Sequence, residues 1–532
     1  MLKANNPILS GFHPDPSILR VGEDYFLATS TFQWFGGVAL YHSRDLVNWQ
    51  ELPTPLNRRS QLDMSGNPNS GGIWAPCLSF CDGVYYLIFT NVKNFHGIFK
   101  DTHNYLVTTT DIFSGEWSEP IYLNSSGFDP SLFHDDDGRK WLVNMRWDHR
   151  VEKNDFSGIL IQEYSPEKKG LIGEPRLIFK GTEVGATEAP HIYKLNGYYY
   201  LMVAEGGTMY NHGVQMARSK NLFGPYEVDP QPLLTTRNNP ERRYQRTGHA
   251  SLISTQNGEW FVSYLLGRPI GEKKRCILGR ECAIAKVVWD ENGWIRLANG
   301  GVVPPEEYEV DLPEVKVSPL PETDKFDKKE LPPRYKTLRI PFDEIGTLDE
   351  RDGYLRLYGY ESITSWNKQS LVARRLQHHN AEATIEMEFA PTDFQKMAGL
   401  AVIYDTYNFF YLYKSHDEDF GEVLRIIVRD NFKFYNPLNG PLPIGRAEKI
   451  WLRARVEGLT LKFFYSVDGK SFEQIGPDLD ASDLSDEAYC DINHEGHTGT
   501  FIGMACQDLT GGANNTRAYA DFASFSYREI KE

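Results

Sequence analysis

PDPSILRVGEDYFLATS at residues 14–30, WAPCLSFCDGVYYLIFT at 74–90, FDPSLFHDDDGRKWLVN at 128–144, TEAPHIYKLNGYYYLMV at 187–203 and TGHASLISTQNGEWFVS at 247–263 are five versions of one segment. Each opens on a polar residue with Pro or Ala, runs through a short apolar strand, turns, and continues into an aromatic-rich strand. Asp15, Trp74, Asp129, Glu188 and His249 mark the openings, 59, 55, 59 and 61 residues apart. A unit of about 60 residues holding about four strands is the size of a propeller blade. Later strands repeat as well, in VALYHSRDLVNW, YLVTTTDIFSGEWSEP and VQMARSKNLFGPYEV. The turn pairs Asp82-Gly83, Asn196-Gly197, Asn257-Gly258 and Asp468-Gly469 supply the positive φ angles of tight hairpins. The expectation is an all-β chain with five blades over residues 1–303.

Seven prolines then fall between 304 and 333 (304, 305, 313, 319, 321, 332 and 333) among Glu, Lys and Asp. Proline removes ladder donors, so 304–334 reads as an extended linker lying on a surface. From 335 to 532 strands resume without the 60-residue unit, in SLVARRLQ, AEATIEMEFA, FFYLYKS, VLRIIVRD, KIWLRARVEG and TFIGMACQD. Their spacing predicts a β-sandwich.

Composition narrows the function. The 532 residues carry 56 Lys and Arg against 72 Asp and Glu, a net charge of −16, which argues against nucleic acid and anionic membranes as partners. No apolar run approaches the roughly 18–20 residues of a membrane span. The N-terminus MLKANNPILSGFHPDPS has no apolar signal core, so a cytoplasmic location is the default expectation. Six cysteines (77, 81, 276, 282, 490 and 506) form neither a disulfide framework nor a zinc pattern. Aromatics reach 13%, suited to strands and to holding the weakly polar faces of sugars.

Inner strands of a propeller converge on one axis, so Asp15, Asp129 and Glu188 are expected at one mouth with Trp74 and His249. Like charges in a confined site raise one another's pKa, an arrangement that suits an acid–base enzyme. Glycoside hydrolysis needs one carboxylic acid to protonate the leaving oxygen and one carboxylate to activate water or attack carbon.

HPDPS at 13–17, GIWAP at 72–76, FDPSLF at 128–133, TEAPHIYK at 187–194, TGHASL at 247–252 and LGRE at 278–281 together resemble glycoside hydrolase family 43. STFQWFGGVALYHSRDLVNW and SLVARRLQHHNAEATIEMEF carry the likeness into both domains, toward the β-xylosidase branch, whose members often also cleave α-L-arabinofuranosides. The resemblance implies a five-bladed propeller with a concanavalin-like β-sandwich, acting with inversion, exo, on xylo-oligosaccharides. It implies Asp15 as general base, Glu188 as general acid, and Asp129 as the carboxylate that orients the acid and raises its pKa. Inversion requires base and acid roughly 6.5–9.5 Å apart with water between them. Arg280 matches a substrate-contacting arginine, and Trp74, Phe32 and Trp147 match sugar-facing aromatics. His249 matches an axial histidine that binds water or a metal, and Asp521 resembles a sandwich calcium position. No cofactor is required; a structural or channel Ca2+ is the one ion the resemblance raises.

The resemblance also implies a homo-oligomer, and an aromatic from the sandwich that closes the pocket; in EGHTGTFIGM (495–504) this is His497 or Phe501. The Arg-rich RNNPERRYQRTGH (237–249) has no place in that scheme and is read first as a solvated loop, then as a subunit contact, then as a pocket for acidic sugar decorations. Two rival functions remain: a dedicated α-L-arabinofuranosidase, and a non-catalytic carbohydrate-binding propeller that would not need the acid–base pair Asp15 and Glu188.

Overall fold

The computed structural model describes residues 1–492, 494–512 and 517–531. The five expected units are five antiparallel sheets. Blade one holds Ser17–Val21, Asp24–Thr29, Ala39–Ser43 and Gln50–Glu51. Blade two holds Gly72–Cys81, Val84–Asn94, Asp101–Thr109 and Ile121–Asn124; blade three holds Ser131–His134, Lys140–Trp147, Phe156–Ser165 and Gly170–Phe179. Blade four runs from Glu188–Leu195 through Tyr198–Glu205 and Gly213–Ser219 to Glu227–Val228, and Leu234–Thr235 also pairs with Gly213–Ser219. Blade five holds Gln245–Ser254, Trp260–Gly267, Arg280–Trp289 and Ile295–Leu297. Two turn pairs act as read: Asp82 and Gly83, like Asn196 and Gly197, both have positive φ, as a two-residue type I′ hairpin demands; at Asn257-Gly258 and Asp468-Gly469 only the glycine does, in longer loops.

Ring closure is made by the chain's start. Ile8 and Leu9 donate their N–H groups to the Cys282 carbonyl of blade five, and Leu2–Asn5 pairs with Glu307–Val310. The Pro-rich stretch therefore contributes a strand to the propeller's edge. Further on, Thr323–Asp324 pairs with Tyr519–Glu529 of the sandwich.

The C-terminal part is two stacked sheets. One orders Gly346–Thr347, Leu355–Tyr358, Tyr519–Glu529, Asn380–Glu388, Lys449–Glu457, Thr460–Ser466 and Glu473–Asp480. The other orders Lys433–Tyr435, Gly421–Asp430, Phe409–Asp417, Lys396–Ile403, Phe501–Asp508, Leu371–Arg375 and Lys336–Leu338, and its last strand is Trp34–Phe35 from blade one. Thr337 pairs with Phe35 and Leu338 with Trp34, so the sandwich sheet continues into the propeller. Alternation such as NAEATIEME at Asn380–Glu388, where Ala383, Ile385 and Met387 are buried between half-buried neighbours in its second half, places one face of each sheet on the core. Apolar packing crosses the seam too: Trp34 stacks on Phe501 with centroids 3.7 Å apart and planes 18° apart, both fully buried.

The Arg-rich stretch departs from its first reading as a solvated loop. Arg242 and Arg243 are exposed, but Arg246 has no exposed surface. Its guanidinium donates to Asp486 Oδ2 at 2.5 Å and Glu487 Oε1 at 3.0 Å, on the helix Asp486–Asp491 of the sandwich, and to the Thr208 carbonyl. Arg237 pairs with Glu205 at 2.5 Å. A buried cation needs a counter-ion, and the sandwich helix supplies two carboxylates. Asp521 also departs from expectation. Its carboxylate takes Arg356 at 2.7 and 2.9 Å and Arg351 at 2.9 Å, so guanidinium groups stand where calcium was expected. Among the described residues no helix is long and apolar enough to cross a membrane.

Breaking a buried ion pair by removing one partner costs about 3–5 kcal/mol. Arg246→Met should therefore lower stability by that amount in chemical denaturation, since it strands Asp486 and Glu487. A loss below about 1 kcal/mol, the range of an exposed pair, would contradict this account.

Candidate active site

The inner strands begin with a recurring backbone feature. Asp15, Ala75, Asp129, Ala189 and His249 all have left-handed φ, at 56°, 38°, 53°, 51° and 46°. The first four precede Pro, and the α-helical region is disfavoured before Pro. These five residues, at separations of 60, 54, 60 and 60, are the equivalent positions of the repeat. Trp74 and Glu188 each stand one residue earlier than the alignment of openings placed them. In blades one, three and five the polar side chain sits on the left-handed residue itself. In blades two and four it sits just before. Irregular pairing follows at Trp74/Cys77, Glu188/His191 and Gly248/Ser251, where a bulge re-aims side chains. A non-Gly residue in this region costs of order 1–3 kcal/mol, so the surrounding structure must hold it there.

All of these turns open onto one cavity of about 330 Å3. Asp15, Asp129, Glu188, Arg280, Trp74, Phe32, Trp147 and His249 line it, so every site residue read from the propeller sequence comes together. Asp15 is buried; its Oδ1 accepts from Arg280 Nη1 at 2.9 Å and its Oδ2 from Ser30 Oγ at 2.6 Å. His249 Nδ1 stands 3.6 Å from Oδ1. Burial alone would raise the Asp15 pKa, but Arg280, His249 and Ser30 together bring it below the usual carboxylate value. Glu188 is moved the other way, up to about 8, by burial and then by the Asp15 charge, against the opposing pull of Arg280 and Lys100. Asp129 is also pushed well above its ordinary range, by burial, then Glu188 and Asp15. Its Oδ2 accepts the Ala189 N–H at 3.1 Å, tying it to the turn that carries Glu188. Burial and like charge thus favour the protonated forms of Glu188 and Asp129, while Arg280 favours the ionised form of Asp15.

Arg280 directs both Nη atoms to the protein, while its buried Nε has no partner among the described residues. Besides Asp15 it donates Nη2 to the His497 carbonyl at 3.0 Å, and its guanidinium carbon lies 5.2 Å from the Phe32 ring centroid. Trp74 donates Nε1 to the Ser70 carbonyl at 2.8 Å, and Trp147 donates Nε1 to the Ile98 carbonyl at 2.8 Å. Both indoles are fixed with their rings at the cavity wall. Burial lowers the His249 pKa, leaving a neutral imidazole. Beside it His212 is buried with neither ring nitrogen partnered among the described residues, and a side chain at Gly248 would lie 2.0 Å from that ring.

The sandwich supplies the remaining wall. Glu495, Gly496 and His497 reach into the cavity, whereas Phe501 is buried on Trp34, so His497 is the ring that faces it. The His497 N–H donates to Ser70 Oγ at 3.0 Å, and its ring packs on Phe32, Trp74 and Phe95.

Two participants escaped the sequence reading. Lys100 lines the cavity with Nζ 4.4 Å from the Trp147 ring centroid, bonded to the Phe95 carbonyl at 2.9 Å. It lies outside the five repeated segments, with no motif to mark it. Ser30 links blades, donating to Asp15 and accepting the Ala75 N–H at 2.7 Å. Its place at the end of the first repeated segment was a signal that could have been used. Among the described residues no three His, Cys, Asp or Glu side chains gather as metal ligands.

Buried, paired and opposed carboxyls in a cavity walled by fixed aromatics define a sugar-cleaving acid–base enzyme. The chain belongs to glycosyl hydrolases family 43, which residues 4–295 match, and residues 323–528 match the beta xylosidase C-terminal concanavalin A-like domain. It is a glycoside hydrolase. It is 47% identical to a beta-xylosidase of Bacillus subtilis (strain 168), covering 99% of this chain and 100% of that one. It is 46% identical to a xylosidase/arabinosidase of Humicola insolens, covering 100% and 98%. The crystal structure of xylan beta-1,4-xylosidase from Bacillus halodurans C-125 superposes with a TM-score of 0.96 at 51% identity, covering 99% of this chain and 100% of that one.

Arg280→Met should raise the Asp15 pKa, because the largest opposing charge is gone. The acidic limb of the kcat/KM–pH profile would then move to higher pH. A limb that stays in place would mean that Asp15 does not set it.

Proposed function

We propose that this chain is an inverting, exo-acting β-1,4-xylosidase that releases xylose from the non-reducing end of xylo-oligosaccharides, with α-L-arabinofuranosidase activity beside it. The observation that carries the reading is the meeting of Asp15 and Glu188 in one cavity, with Arg280 paired to Asp15 and Glu188 buried without such a partner among the described residues. The ionised Asp15 takes a proton from a water as that water attacks the anomeric carbon. The bond from that carbon to the leaving oxygen breaks, and Glu188 gives its proton to the departing oxygen. Asp129 accepts the Ala189 N–H and so fixes the turn that carries Glu188. Solvent then returns a proton to Glu188 and removes one from Asp15.

Exo action is supported by the wall that Glu495, Gly496 and His497 build from the sandwich side, against which a chain end would rest. Trp74, Phe32 and Trp147 offer apolar faces to the C–H surfaces of a pentose. The arabinosidase activity is supported by the Humicola insolens relative, whose name includes it.

The assigned protonation states fix the pH dependence. Activity needs Asp15 ionised and Glu188 protonated, so it should fall below Asp15's depressed pKa and again above about 8 as Glu188 loses its proton. Glu188→Gln should cost about 10²–10⁴-fold on 4-nitrophenyl xyloside, less on a dinitrophenyl xyloside, and should remove the alkaline limb. Equal losses on both substrates would deny Glu188 the acid's role. Proton NMR of the first-formed product from a β-xyloside should show α-xylose; initial β-xylose would rule out inversion. Comparing 4-nitrophenyl β-D-xyloside with the α-L-arabinofuranoside orders the two activities, and turnover of the arabinoside alone would overturn the xylosidase assignment.

A further inference from the structure

A second, larger cavity of about 500 Å3 lies where the first blade, the Pro-rich stretch and the sandwich meet, away from the catalytic carboxyls. Its wall carries five cationic side chains, Arg44, Lys316, Arg334, Arg374 and Arg375, against one carboxylate, Glu51. That balance is unusual in a chain of net charge −16. Arg44 is answered by Glu23 and Asp24, and Arg334 by Asp324. The two buried arginines are not answered. Arg374 is 5% exposed; its Nη2 donates to Gln377 Oε1 at 2.8 Å and its Nε has no partner among the described residues. Arg375 is 4% exposed; its Nε donates to the Phe12 carbonyl at 2.6 Å and its Nη2 has no partner among the described residues. Behind them Lys336 is 1% exposed, and its nearest carboxylate oxygen, on Glu51, is 3.9 Å away. His13, which also lines the cavity, is kept neutral by burial and by the nearby Arg375 and Lys336 charges.

Buried guanidinium groups with no counter-ion are costly, and an oxyanion in the cavity they line is the ligand that removes the cost. Trp49 and Tyr41 add ring surface to the wall, and the volume falls in the range of small-molecule sites. We propose that this seam cavity binds a small anionic sugar, a polyhydroxylated molecule carrying one carboxylate or phosphate, with Arg374 and Arg375 on the oxyanion and Trp49 on the ring. The site bridges both domains and is separate from the hydrolytic one, so it stands whether or not the chain prefers xylosides.

Thermal unfolding of the full chain with D-glucuronate, glucose 6-phosphate, inorganic phosphate and neutral glucose tests this. Glucuronate or glucose 6-phosphate should raise Tm saturably by about 2 °C or more, and glucose should not. Which of the two acts tells carboxylate from phosphate, and a response to inorganic phosphate alone would overturn the sugar part of the proposal. Arg374→Gln and the rim variant Lys316→Glu should each weaken the response at least several-fold. Lys316 is exposed, so the second variant keeps the test valid if the first does not fold. No shift with any anion, an equal shift with glucose, or a shift unchanged in the folded variants would overturn the site. Wild-type hydrolysis of 4-nitrophenyl xyloside should show no competitive inhibition by the responding anion; competition would place it in the catalytic cavity instead.

Discussion

The ion pair between Arg280 and Asp15 is the constraint on which the site depends. It joins the first blade to the fifth, and the His13 N–H donates to the Arg280 carbonyl alongside it at 2.9 Å. It also sets the charge pattern. Because a guanidinium is always cationic, Asp15 can be both buried and ionised. Burial, and after it that fixed negative charge, favours the protonated form of Glu188, and burial with the Glu188 and Asp15 charges does the same for Asp129. Three carboxyls in one pit would otherwise repel one another without order. One arginine, held by Asp15 on one side and by the His497 carbonyl on the other, divides them into a base and a proton-holding pair.

Much of the architecture was legible because it repeats. The spacing of about 60 residues, the Asp-Gly and Asn-Gly hairpins and the strand alternation are local signals, and the five sheets follow them. The misplacement of Trp74 and Glu188 by one residue has a physical origin. The invariant of the repeat is a left-handed backbone angle, not a side-chain type, and a sequence shows side chains. Asp15 and Asp129 carry both features on one residue; Glu188 does not.

What escaped the reading are contacts between segments far apart in the chain. Trp34–Phe35, inside a motif read as part of the first blade, becomes the edge of a sandwich sheet because Lys336–Leu338 arrives beside it some 300 residues later. Arg246 looked like a surface charge because the carboxylates that bury it, Asp486 and Glu487, lie 240 and 241 residues away. Asp521 looked free for an ion until Arg351 and Arg356 were placed against it. Of His497 and Phe501, alternation along a strand could not choose; the stacking of Phe501 on Trp34 does.

The shared sheet has a consequence for the propeller half. Severing the chain in the Pro-rich stretch would leave Trp34–Phe35 as an unpaired hydrophobic margin, the kind of surface that self-associates. The C-terminal half thus serves as a cover for part of the propeller's own chain, through the pairing of Thr337 with Phe35 and Leu338 with Trp34.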